Sequence, residues 1–349
     1  MICVKIKDGS GIVLQAVFCG INLSLFIIPH LIFFCKGVIP MDCMNPMLAV
    51  RSGEQFRFVG AVNGSASATR KYLYDTSGRY VVLPCGQCMA CRLNKSRDWA
   101  TRCVLEAKMY EKNCFITLTY NDENLPPDLS LKKQDFTLFI KRLRKNTGAK
   151  IRYFACGEYG SLYSRPHFHA CLFGYCPDDL VLYANRSGCN LYLSETIAKA
   201  WQGKGFITVG DVTFESAAYV ARYVTKKITG PQADDYYQGR QPEYTVMSRR
   251  PGIGAPFFEK YHIDIYGKDF IVIRDNIKCK PPAYFDRIFD KYYLDGDFDE
   301  IKDNRFAKSA KKFSQSDVYE YSLKRIVNRA RYKELSYKQR FSRSLEEEI

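Results

Sequence analysis

Histidine is scarce in this chain: 349 residues hold only four. Acidic side chains are also in deficit, 37 against 52 Lys and Arg, which leaves a formal net charge of +15. No Gly-x-x-x-x-Gly-Lys-Ser/Thr phosphate cradle occurs, so nothing calls for nucleotide hydrolysis. There is no internal repeat and no helicase motif. The 14 cysteines lack the spacing of a secreted disulfide scaffold and point to a reducing compartment. What is present is a 46% hydrophobic fraction, enough for one large domain or two small ones. The basic excess points to a polyanionic partner, nucleic acid first and an acidic membrane second. Twenty-five Tyr and 23 Phe offer stacking surfaces for unpaired bases, although most such rings belong in a core.

Two of the four histidines stand one residue apart, in Arg165-Pro166-His167-Phe168-His169-Ala170-Cys171-Leu172-Phe173-Gly174. Phe168 to Phe173 is apolar and aromatic enough for a buried strand. Residues i and i+2 of a strand share a face, so His167 and His169 project side by side while Phe168 turns into the core. Two imidazoles on one face are half a metal site. Upstream, Ile151 to Gly157 reads as a second strand, followed by Glu158 and a Ser-Leu-Tyr-Ser-Arg-Pro hairpin loop. Antiparallel pairing about that loop sets Glu158 opposite His167. An isolated His-x-His is more often a hydrogen-bonded pair, and Glu158 has Arg165 as an alternative partner. Convergence of the three on one face favours a divalent ion with open positions, Mg²⁺ or Mn²⁺.

Downstream, Ala217 to Lys227 carries Tyr219 and Tyr223, spaced i, i+4 and therefore on one helix face. Thr213 suits the N-cap, Glu215 the first turn, and Gly230-Pro231 the stop. Tyrosines at this spacing are more often a core stripe. Here they sit among Arg222, Lys226 and Lys227, and a phenol with an ordinary pKa near 10 needs such charge, or a metal-bound substrate, to act as a nucleophile at neutral pH.

His-hydrophobe-His together with Tyr-x-x-x-Tyr-x-x-Lys resembles the HUH endonucleases that start rolling-circle DNA replication. The two-tyrosine form resembles the initiators of the microviruses. Pro84-Cys85-Gly86-Gln87-Cys88-Met89-Ala90-Cys91-Arg92 and Phe115-Ile116-Thr117-Leu118-Thr119-Tyr120 resemble the gokushovirus branch in particular, from about Met41 to about Tyr293. The resemblance implies a DNA strand transferase of the host bacterial cytoplasm. Glu158, His167 and His169 would hold the ion that polarises the scissile phosphate. Tyr219 or Tyr223 would attack, leaving a 5′-phosphotyrosine and a 3′-hydroxyl that a host polymerase extends with a host helicase. The second tyrosine would later cut the regenerated origin and close the circle. The family pattern gives Lys226 the charge-neutralising role; Arg222 and Lys227 are candidate DNA contacts. Single-stranded or origin DNA is the implied partner, with no nucleotide cofactor and no membrane.

Cys85, Cys88 and Cys91 form a Cys-x₂-Cys-x₂-Cys cluster, a spacing that wraps a soft tetrahedral ion. It lacks the Cys-Pro sequel of bacterial iron–sulfur runs. Three ligands leave structural Zn²⁺ one short, and the resemblance supplies Cys43, because the family has a cysteine near its start. A set of reduced thiols at a helix start is an equal alternative.

Periodicity from Phe115 to Val212 gives the order β-α-β-β-α-β, a split βαβ, ferredoxin- or RRM-like α+β fold with an antiparallel sheet and helices on one side. Asp178 to Gly188 reads as an irregular insertion, Pro231 to Pro256 as a mobile loop, and Ile263 to Arg274 as a hairpin turning at Tyr266-Gly267-Lys268-Asp269. Four segments follow. Residues 1–40 are an apolar extension whose Gly11–Cys35 stretch has nearly membrane-span length; they read as translation from a start upstream of Met41. Residues 41–112 carry the cysteine cluster and a basic helix, residues 113–230 the nuclease core, and residues 231–349 an accessory region with a charged helical tail. Three rivals remain: an HUH transposase or mobilisation nuclease, a non-enzymatic zinc-containing nucleic-acid binder, and a membrane-associated protein using residues 11–35.

Overall fold

The computed structural model describes residues 14–18, 21–25, 43, 47–52, 55–61, 80–160, 163–186, 188–226, 232–273, 277–292, 298–305, 332 and 335. The chain divides into two compact units, Met1–Arg92 with Tyr293–Ile349, and Leu93–Tyr292. The first contains β1 (Leu14–Phe18) and β2 (Ile21–Leu25), which pair antiparallel within the apolar stretch. It also contains β3 (Met47–Ser52), β4 (Gln55–Ala61) and β5 (Tyr80–Leu83), a small antiparallel sheet with β3 in the middle. No helix among the described residues is long and apolar enough to cross a membrane. Most of the charged tail beyond Arg305 lies outside the described residues.

The second unit is built on seven strands. Helix α1 (Met89–Ala107), whose first residues belong to the first unit, leads into β6 (Asn113–Leu118), α2 (Lys133–Thr147), β7 (Arg152–Tyr159) and β8 (Pro166–Phe173). Then come β9 (Val181–Arg186), β10 (Cys189–Leu193), α3 (Glu195–Trp201), β11 (Ile207–Gly210) and α4 (Phe214–Lys226). The unit closes with α5 (Gln232–Tyr237), β12 (Tyr244–Met247), α6 (Ala255–Lys268), the short pair β13 (Ile271–Val272) and β14 (Lys278–Cys279), and α7 (Ala283–Tyr292). The sheet runs β12-β7-β8-β6-β11-β10-β9, with every neighbouring pair antiparallel. Its middle four strands, β7-β8-β6-β11, are the split βαβ.

Alternation divides the sheet into two faces. Cys114, Ile116, Leu118, Ala155, Phe168, Ala170 and Leu172 form one core with Phe136, Phe139, Ile140 and Leu143 of α2 and Ile197 and Trp201 of α3. Gly148 ends α2 in a left-handed turn, its N–H returning to Arg144, and the Ser194 hydroxyl caps α3. Both helices of the split βαβ thus cover one side. Phe154, Cys156, Cys171 and Phe173 look the other way, onto Ala100 and Cys103 of α1 and Ala217, Tyr219, Val220 and Ala221 of α4. The Ser96 hydroxyl ties α1 to the Ala218 carbonyl of α4 at 3.1 Å.

Three segments differ from the sequence reading. The insertion after β8 is not irregular: β9 and β10 extend the sheet beyond β11. The expected mobile loop contains α5 and β12, and β12 borrows its stability by pairing with β7, from Tyr244 opposite Gly157 to Met247 opposite Phe154. The expected hairpin at Ile263 is instead the second half of α6. Its helically spaced Phe258, Ile265 and Tyr266 are buried, with Phe258 against Phe285 and Tyr266 stacked on Phe289 of α7. That packing outweighs the local turn signal, and the turn comes after the helix, at Asp269 with φ 56°.

Candidate active site

Antiparallel register assembles the site. Glu158 on β7 lies directly opposite His167 on β8, and His169 lies between Cys156 of β7 and Thr117 of β6. Ligand atoms of Glu158, His167 and His169 all fall within 4.8 Å of one another. His167 Nε2 is 3.0 Å and His169 Nε2 2.7 Å from the same oxygen, Glu158 Oε1. Glu158 and His169 are each only 2% exposed, so water contributes little to balancing this carboxylate. Burial alone would push its pKa up, but the charges of His169 and His167 and their hydrogen bonds outweigh burial and hold it well below the usual carboxylate range.

The far sides of the imidazoles are also held. His167 Nδ1 faces the Arg165 carbonyl at 3.1 Å; a carbonyl only accepts, so this nitrogen carries a proton. His167 Nε2 then meets Glu158 either as part of an imidazolium or with a bare lone pair. Two lone pairs do not face each other at 3.0 Å without positive charge between them. His169 Nδ1 lies 2.9 Å from the Thr117 hydroxyl, and its ring stacks on Phe115. This is the arrangement of metal-binding histidines, whose remaining nitrogen is fixed by a second partner. The donor set therefore fits a cation at Glu158 Oε1 and the two Nε2 atoms.

Helix α4 presents Tyr219 to the same point. Its start is a reciprocal cap: Thr213 N–H donates to the Ser216 hydroxyl at 2.8 Å, and Ser216 N–H to the Thr213 hydroxyl at 3.1 Å. The Tyr219 hydroxyl donates to Glu158 Oε1 at 3.1 Å, and its ring meets His169 edge-on at 4.9 Å. The Arg222 guanidinium lies 5.9 Å from the centre of that ring. Tyr223 follows one turn later, and Lys226 ends the helix. Lys227 lies outside the described residues.

A sequence model of the replication-associated protein ORF2 family matches residues 113–228, the stretch from β6 through α4. Replication-associated protein ORF2 of Spiroplasma virus 4 is 36% identical over 286 residues, covering 76% of this chain and 86% of the relative. The chain belongs to the phage replication-associated proteins. Within this family, protein VP4 of Bdellovibrio phage phiMH2K is 35% identical over 256 residues, 70% of this chain and 76% of the relative. Protein ORF4 of Chlamydia phage 1 is 28% identical over 288 residues, 77% of this chain and 68% of the relative. No solved structure matches.

This family member also carries a cysteine cluster in its first unit. The sulfurs of Cys43, Cys85, Cys88 and Cys91 all fall within 4.8 Å of one another. Sequence reasoning missed Thr117 and Phe115, the residues that hold and face His169. The signal was available: alternation from Phe115 to Thr119 puts both on the side of β6 away from Ile116 and Leu118.

Proposed function

We propose that this replication-associated protein is a rolling-circle initiator that nicks phage DNA at its origin by tyrosine attack. One observation carries the reading: the Tyr219 hydroxyl and both histidine Nε2 atoms converge on a single buried carboxylate oxygen. Glu158, His167 and His169 would hold Mg²⁺ or Mn²⁺, which supplies Lewis acidity to a phosphate oxygen when bound. The Tyr219 oxygen forms a bond to the scissile phosphorus, and Glu158 Oε1, 3.1 Å away, takes its proton. The phosphorus–O3′ bond breaks, its electron pair stays on O3′, and protonation gives a 3′-hydroxyl that a host polymerase extends. The protein keeps the 5′-phosphate as a phosphotyrosine. Tyr223, on the same helix, serves the second cut, whose 3′-hydroxyl attacks the first phosphotyrosine and closes the circle. Lys226 and Arg222 offset charge on the phosphate, Lys227 contacts the strand beyond it, and a host helicase opens the duplex in the bacterial cytoplasm.

The test is a covalent adduct between protein and labelled single-stranded origin DNA, with Mn²⁺, resolved under denaturing conditions. We expect an adduct that needs the cation, is lost in His169→Ala and in the Tyr219→Phe/Tyr223→Phe double variant, and persists in one single tyrosine variant. Ordinary DNA binding with no adduct on any origin-sized substrate would overturn the nuclease.

A further inference from the structure

We propose that Cys43, Cys85, Cys88 and Cys91 form a tetrathiolate site for a structural Zn²⁺. This inference does not depend on the nuclease reading, because the four cysteines lie in the other compact unit, Met1–Arg92 with Tyr293–Ile349. Three of the four come from one short segment, and Cys43 reaches them from 42 residues upstream of Cys85. Zn–S bonds of about 2.3 Å in a tetrahedron put sulfurs about 3.8 Å apart. Cys88 Sγ and Cys43 Sγ are 4.0 Å apart, and every pair in the cluster is within 4.8 Å. All four cysteines are free, and that sulfur separation is far beyond the ~2.05 Å of a disulfide.

The surrounding backbone suits thiolates. Cys85 N–H donates to Cys43 Sγ at 3.3 Å, and Cys88 N–H to Cys85 Sγ at 3.2 Å. The second bond needs a tight reversal between Cys85 and Cys88. Gly86 provides it with φ +72°, a conformation that side-chain-bearing residues rarely adopt. Cys88 stands immediately before α1, with its carbonyl accepting from Arg92 N–H at 3.0 Å, so the exposed N–H groups of the first turn add a positive field. Four thiolates this close repel one another unless a divalent cation lies among them. Four neutral thiols gain almost nothing from such convergence. A soft, tetrahedral, redox-inert ion satisfies both constraints. Bound there, it pins the segment around Cys43 to the start of α1 and gives this small unit a crosslink that a reducing compartment does not undo.

The full chain, purified without added metal or chelator, is the material for elemental analysis and thiol counting. We expect about one zinc per chain, with four thiols that react only after the metal is stripped. Replacing zinc with Co²⁺ should give the charge-transfer and intense visible bands of a tetrahedral tetrathiolate. Cys85→Ser and Cys88→Ser should each lose the zinc, whereas Cys189→Ser, an exposed cysteine outside the cluster, should keep it. Should a cluster variant fail to fold, the native protein's metal content and cobalt spectrum still decide between the outcomes. No zinc in the native chain, iron with sulfide in its place, a disulfide among the four, or a cobalt spectrum lacking thiolate bands would each overturn the site.

Discussion

His169 is held from three sides, by Glu158, by the Tyr219 ring and by the Thr117 hydroxyl. Thr117 touches neither the carboxylate cluster's shared oxygen nor the tyrosine, so it acts through the imidazole as a positioning residue. Thr117→Val keeps shape and β preference and removes only the 2.9 Å contact at Nδ1. Mn²⁺ affinity, followed by the loss of free-ion electron paramagnetic resonance signal, should fall about 10- to 100-fold while the melting temperature barely moves. Unchanged affinity would separate Thr117 from the metal. The two histidines, Glu158 and Tyr219 were legible in the sequence, because side-chain type and spacing of 2 or 4 give them away. Thr117 was not, since a threonine in a strand reads as an ordinary β former until the neighbouring strand's register is known.

Among the elements, those with long and clean periodicity were legible: β6, α2, the β7–β8 hairpin, α3 and α4. Elements that depend on a distant partner were not. The four residues of β12 have no pattern of their own and become a strand only against β7. Helix α6 hid behind Gly267, and its helical state comes from burial against α7. One close approach at an element boundary is testable. Gly205 precedes β11 where the chain crosses the end of β6; a Cβ there would meet the Thr119 carbonyl oxygen, Asn121 N at 2.6 Å and Tyr120 C at 2.7 Å. All three are backbone atoms of a connection anchored by Trp201 Nε1 on the Thr119 carbonyl at 2.8 Å. Gly205→Ala should cost about 1–3 kcal/mol in urea unfolding. A midpoint equal to wild type would mean that this crossing has room to move.

Across the whole molecule, the +15 formal charge makes DNA affinity a function of salt. The logarithm of the association constant for single-stranded DNA should fall with log salt by about 0.7 per phosphate contacted. A flat response in a salt titration would mean that the basic residues are not on the DNA. The register described above has a further reach. Thr117, Glu158, His167 and Tyr219 come from β6, β7, β8 and α4, and slipping any strand by one residue turns its contribution to the wrong side of the sheet. The site is thus either whole or absent, and it is completed in the order of translation. A chain still on the ribosome possesses its cation ligands well before its nucleophile has been made. On the proposed function, a truncated or unfinished copy is harmless to every DNA in the cell, and cutting begins only when synthesis has passed α4.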